Sequence, residues 1–222
     1  MSNYAIFRVA KLKPGYGKSS IGRTMRHLDK HLDCADISRP ERLHLDRQKK
    51  FYSDYREVVK DAIKKHNANS RRALRSDASI GCEMIFTYSK EMEDLISPKD
   101  FYGCIKKFYE ENFKGCTLLQ IDYHASESCN HYHLVCLTTT EDGKISSRQY
   151  LGDKAHLSAL QDRFADICKS LGLERGKRYT GQKNKPSHIA LRTHKAKQLE
   201  DIDRLEKIKK NLQSDICQEL TR

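Results

Sequence analysis

Apolar runs and alternating positions mark four extended segments in this 222-residue chain, and helical spacing marks the stretches between them. Residues 3–10 (NYAIFRVA), 82–88 (CEMIFTY), 117–123 (TLLQIDY) and 131–139 (HYHLVCLTT) predict strands. A helix is expected over 21–31, where Ile21, Met25 and Leu28 recur on one face. Another is expected over 47–66, with Phe51, Tyr55, Val58, Ala62 and Ile63 as its stripe. Ser97 followed by Pro98 opens a third helix, carrying Phe101, Ile105, Phe108 and Asn112. Leu157, Leu160, Phe164, Ile167 and Leu171 predict a fourth, closed by Gly172. The connections are a glycine-containing basic loop at 13–20, a loop at 32–46 containing Pro40, and a turn at 141–144 (EDGK). Residues 174–195 are basic and poorly periodic. From Ala196 onward a charged helix is expected, too short and irregular in its apolar stripe for a coiled coil. Strands interspersed with helices, two of them adjacent in the centre, predict an α+β fold. Its antiparallel sheet carries the histidine pair of residues 131–133 on a central strand, with helices packed mainly on one face. The predicted domain spans 1–196. The terminal helix, 197–222, either packs on it or starts a longer, dimerising segment.

Composition narrows the partner. Forty-two Lys and Arg against 30 Asp and Glu leave a net charge of +12, spread along the chain. A basic protein of this size suits a polyanion, because each cation that meets a phosphate releases condensed counterions. Eight cysteines, at positions 34, 82, 104, 116, 129, 136, 168 and 217, form no CxxC pair. No apolar run approaches the ~20 residues of a membrane span, and the N-terminus lacks signal-peptide architecture. Free thiols in that context predict a cytoplasmic protein.

The chemistry concentrates in Y-H-A-S-E-S-C-N-H-Y-H, residues 123–133. Two histidines two apart on a strand share a face. His131 and His133 therefore point together, and His124, at the end of the preceding strand, joins them across a short loop that carries Glu127. Three imidazoles and a carboxylate suit a divalent transition metal with positions left open for substrate. The HExxH helix of zinc hydrolases and the HxE/PCxxC signature of zinc deaminases are both absent. In a basic protein, such a site fits phosphodiester chemistry.

The stretch H-A-S-E-S-C-N-H-Y-H at 124–133 resembles the H-x-D-E-x-T-P-H-x-H motif of the Pre/Mob (MobV-type) mobilisation relaxases of the HUH endonuclease superfamily. R-H-L-D-K at 26–30, R-A-L-R-S-D-A at 72–78, D-G-K-I-S-S at 142–147 and L-G-L-E-R-G at 171–176 follow the same family order over nearly the whole chain. The resemblance implies a relaxase domain that nicks one DNA strand at a plasmid or mobile-element origin of transfer, with Mn²⁺ or Mg²⁺, through a covalent protein–DNA intermediate. It implies His124, His131 and His133 as metal ligands, Glu127 as the motif acid and His27 as the nucleophile. Tyr52 and Tyr55 are the tyrosine alternatives. Lys30 stands where the family has arginine, Ser126 where it has aspartate, Cys129-Asn130 where it has Thr-Pro, and Asp46 where it has asparagine.

DNA contacts are expected from Lys30, from Arg71, Arg72 and Arg75 before the second strand, and from Lys177, Arg178, Tyr179, Lys183 and Lys185, which mix charge with an aromatic ring. The partner is single-stranded or hairpin DNA. The competing reading is a DNA-binding regulator or replication initiator that keeps the fold and does not cut; metal-dependent cleavage of a single-stranded oligonucleotide separates the two.

Overall fold

The four apolar runs pair into the middle of one sheet. In a computed structural model, which describes residues 3–29 and 38–176, the strands are β1 (Tyr4–Leu12), β2 (Arg47–Lys50), β3 (Gly81–Tyr88), β4 (Thr117–His124), β5 (His131–Leu137) and β6 (Glu174–Arg175). Their order is β2-β4-β5-β3-β1-β6. All pairs are antiparallel except β1 with β6. The helices are α1 (Ile21–Asp29), α2 (Tyr55–Asn69), α3 (Pro98–Asn112), α4 (Ser147–Leu151) and α5 (Lys154–Cys168). None of the described helices is long and apolar enough to cross a membrane. The expected terminal helix and the 196 boundary lie outside the described residues.

Period-two alternation sends the two faces of the sheet to different tasks. Phe7, Met84, Phe86, Leu134 and Tyr132 face α3 and α5, where Phe101, Phe108 and Phe164 complete an aromatic core. Phe86 lies 5.0 Å from Phe164 and 5.8 Å from Phe108, centroid to centroid. The other face carries the histidines, and a smaller core beside them holds Ile21, Met25 and Leu28 of α1 and Ala62 of α2 over Leu12, Val135 and Leu137.

A break in the β4 register puts His124 on the histidine face. Leu118 pairs with Cys136, whereas Gln120 pairs with Val135, so Leu119 is an extra residue. Regular alternation from Leu118 would turn residues 120, 122 and 124 toward α3 and α5. The bulge reverses that phase. Gln120, Asp122 and His124 therefore lie beside Val135, His133 and His131.

One expected element is different. Residues 47–50 are an edge strand and not the start of a helix; α2 begins at Tyr55, where the Asp54 side chain accepts from the Arg56 N–H at 2.8 Å. All four β2 side chains are exposed, so no alternation of burial marks the strand in the sequence. Phe51 continues the α2 stripe by coincidence of spacing.

Candidate metal centre

Two hydrogen bonds, one to a backbone carbonyl and one to a side-chain carboxylate, decide which nitrogens His131 and His133 present. His131 Nδ1 donates to the Cys129 carbonyl at 2.8 Å, and His133 Nδ1 donates to Glu83 Oε1 at 2.8 Å. That turns both Nε2 atoms toward each other, 3.0 Å apart. The spacing suits the chemistry: two ligand nitrogens at right angles, each about 2.1 Å from a metal, stand about 3.0 Å apart. The His124 ring is 5.1 Å from His131 and 4.9 Å from His133, centroid to centroid, and one ligand atom from each imidazole falls within 4.8 Å of the others. The residues fit a divalent cation.

The electrostatics keep these groups ready to bind one. Burial, with the neighbouring His133 ring next, pushes the His131 pKa down to about 3, so its imidazole is neutral. Glu127 lies beside the trio, Oε1 at 3.3 Å from His124 Nδ1 and Oε2 at 3.6 Å from His131 Nε2. Burial alone would raise this carboxyl, but the His124 hydrogen bond and the surrounding imidazoles outweigh it and hold it at about 2. The site thus keeps one carboxylate charge against the three rings.

Tyr132, between His131 and His133, points the opposite way and ties β5 to the helix layer. Its hydroxyl donates to the Pro98 carbonyl at 3.0 Å and its ring lies 4.7 Å from Tyr123. Glu83 acts on the site through His133, fixing its tautomer and raising its basicity. Substituting Glu83 with alanine is expected to weaken Mn²⁺ affinity by about 10–100-fold, with glutamine losing less. Calorimetric titration checks this, and an unchanged affinity in both variants removes Glu83 from the centre.

The loop that carries Glu127 is held from three sides. Asp46 Oδ1 accepts from the Ala125 and Ser126 N–H groups at 2.6 and 3.0 Å, and its Oδ2 from Ser126 Oγ at 2.6 Å. Arg39 donates to the Glu127 carbonyl at 2.5 Å, to Asn130 Oδ1 at 2.9 Å and to Glu93. Glu93 in turn accepts from the Asn130 N–H at 2.7 Å. Arg39 and Glu93 have no local sequence signal. Asp122 had one, since it stands two positions before His124 and hence on the same face.

Asp122 is 1% exposed and only its Oδ2 accepts a hydrogen bond, from Gln120 at 2.7 Å. Burial raises its carboxyl to about 6. A carboxyl raised on folding costs nothing below its unfolded pKa near 4, and its cost grows as pH rises through 4 to 6. Without added cation, Asp122→Asn should therefore stabilise the fold above pH 6, by up to about 3 kcal/mol, and leave it unchanged below pH 4. Urea unfolding at pH 4 and pH 7.5 measures the difference; equal effects at both would refute it.

The expected site residues divide three ways. His124, His131, His133 and Glu127 come together as described. His27 is exposed on the last turn of α1. The end of that helix sits over the histidine face, where Gln48 donates to the Leu28 carbonyl at 3.4 Å and Lys50 pairs with Asp29 at 2.6 Å. Gln48 and Lys50 are the β2 partners of Asp122 and Gln120. Tyr52 is not on a helix; it is exposed in the segment after β2. Tyr55 starts α2 and packs against the smaller core, its hydroxyl pKa raised by burial and by Tyr16. Arg71, Arg72 and Arg75 are exposed between α2 and β3, and the nearby Leu74 anchors that segment in the core of the histidine face. Lys30, Lys177, Arg178, Tyr179, Lys183 and Lys185 lie outside the described residues.

A mostly antiparallel sheet whose adjacent central strands present three converging imidazoles, with a histidine-tyrosine-histidine strand at its heart, defines a protein of the HUH type. The chain belongs to the plasmid recombination enzyme (Mob_Pre) family, whose model matches residues 1–196. A plasmid recombination enzyme type 3 of Staphylococcus aureus is 28% identical over 180 residues, covering 78% of this chain and 43% of the relative. The plasmid recombination enzyme of Lactiplantibacillus plantarum is 24% identical over 201 residues, covering 86% of this chain and 54% of its own. The chain thus spans about half the length of such relatives. Among solved structures, the MobM relaxase domain bound to plasmid pMV158 oriT DNA, with Mn, superposes with a TM-score of 0.71 at 26% identity, covering 86% of this chain and 99% of that one.

Proposed function

We propose that residues 1–196 form the relaxase domain of a plasmid mobilisation protein, which nicks one strand of single-stranded or hairpin DNA at an origin of transfer in the cytoplasm. The observation that carries this reading is the pair of facing Nε2 atoms 3.0 Å apart on β5, completed by His124 in a chain of charge +12. Its family membership and the DNA- and Mn-bound relaxase domain that it resembles support it. His124, His131 and His133 would hold Mn²⁺ or Mg²⁺, which supplies Lewis-acid polarisation of the scissile phosphate.

The remaining work falls to the chain's own side chains. Glu127, ionised, keeps the three rings oriented and neutralises part of the charge they gather. An imidazole nitrogen of His27 attacks phosphorus in line. An N–P bond forms, the P–O bond to the leaving sugar breaks, and the leaving oxygen takes up a proton while the imidazole loses its own. The basic side chains of 71–75, with Lys30 and the 177–185 segment, hold the strand through its phosphates. Tyr52 and Tyr55 are the alternative nucleophiles. The adduct distinguishes them: a phosphoramidate survives alkali and is cleaved by acid. Incubation with single-stranded origin DNA and Mn²⁺ should give an acid-labile adduct that His27→Ala abolishes. An acid-stable adduct that persists in His27→Ala would transfer the role to a tyrosine, and absence of any cleavage would favour a non-cutting DNA-binding protein.

A further inference from the structure

The outer edge of the sheet carries a strip of cations and exposed rings that the metal centre does not use. β2 is the terminal strand of the sheet order, and its residues Arg47, Gln48, Lys49 and Lys50 are all exposed. Phe51 and Tyr52 follow at once, 39% and 43% exposed. The Lys49 ammonium sits 5.0 Å from the centre of the Phe51 ring. The ring is also anchored: the Phe51 N–H donates to the Leu119 carbonyl at 3.0 Å, which extends the β2–β4 ladder one residue past the strand. A rigid aromatic surface loses little entropy when something stacks on it.

The strip leads away from the metal centre. Its near end is Asp46, which holds the backbone of Ala125 and Ser126 next to His124. Its far end, Phe51, lies five residues on, roughly 16 Å along an extended strand. Three cations in four residues make this edge a poor template for another strand, and they favour a polyanion. Duplex DNA hides the faces of its bases, whereas unpaired bases offer them to aromatic side chains.

We propose that Lys49 and Phe51, with Tyr52, form a stacking subsite for unpaired bases of single-stranded DNA that wraps the outer edge of the sheet, since Gln48 and Lys50 share the face of Asp122 and Gln120 whereas Lys49 turns with Ile121 to the opposite one. This rests on the DNA-nicking reading above. The lysine meets the backbone phosphate and the phenyl ring takes the base. The contact is tolerant of sequence, because every base has a π-face.

The chain contains no tryptophan, so Phe51→Trp in the full 222-residue protein creates a single reporter that preserves stacking. The probe is an oligothymidylate of about ten nucleotides, within the usual site size for one domain. Its titration should quench the reporter with the midpoint read independently by anisotropy of a labelled oligothymidylate. A blunt, fully paired duplex should bind without quenching. Phe51→Ala should weaken oligothymidylate binding roughly 5- to 100-fold with an unchanged dependence on salt, since no phosphate contact is lost. Mn²⁺ affinity should be unaltered. Wild-type binding with no quenching in Phe51→Trp, and affinity within twofold in Phe51→Ala, overturns the subsite and leaves the nicking reading intact. Failure of the wild-type protein to bind any DNA overturns both.

Discussion

His131→Ala is expected to abolish Mn²⁺-dependent cleavage of single-stranded DNA while leaving most of the salt-dependent binding. Loss of an outer partner of a metal-binding histidine costs about 10–100-fold in affinity or activity, so loss of the ligand itself should exceed about 100-fold. DNA affinity should persist because it is distributed over many Lys and Arg contacts. The thermal behaviour separates loss of a ligand from loss of structure. In the cation-free protein the His131 ring makes a single hydrogen bond to the backbone, at the Cys129 carbonyl, so its loss costs little next to the stability of the whole fold. The variant should therefore melt close to the wild-type temperature without cation. Added Mn²⁺ should raise the wild-type midpoint, as any ligand specific for the folded state does, and leave the variant unmoved. Cleavage at the wild-type rate by His131→Ala would end the metal-centre assignment.

Asp46→Ala should be strongly damaging although it touches no imidazole. It removes both acceptors for the Ala125 and Ser126 N–H groups and for the Ser126 hydroxyl, in a segment where both residues are fully buried. Stranding those donors should cost about 3–5 kcal/mol, a large part of the 5–15 kcal/mol that holds a typical domain folded. Asp46→Asn should recover most of it, since the amide oxygen still accepts from the two N–H groups and the amide nitrogen can donate to the serine hydroxyl. Urea denaturation with an unchanged slope would give the two values. A loss below about 1 kcal/mol in the alanine variant would show that the 125–130 loop is held by Arg39 and Glu93 instead.

The convergence of His131 and His133 was legible in the sequence because a strand alternates with period two, whereas the bulge at Leu119 that turns His124 toward them left no local signal. The chain of support behind them was not legible either. Asp46 meets Ser126 across 80 positions and Arg39 meets Glu127 across 88, and no local pattern reports contacts of that span. Glu83 could be placed on β3 but not on a face until the pairing of Glu83 with Val135 was known. β2 escaped because an edge strand with every side chain in water has no alternation to read. The helices were easier, since Ser97 and Pro98 announce α3, and Leu160 and Phe164 of α5 line the core.

One surplus residue in β4 has a wider meaning. His124 faces His131 and His133 because Leu119 shifts the strand's phase, so the centre is encoded by a count of residues as much as by their kinds. A single-codon deletion between residues 118 and 123 would put His124 out of phase with His131 and His133 while sparing every histidine.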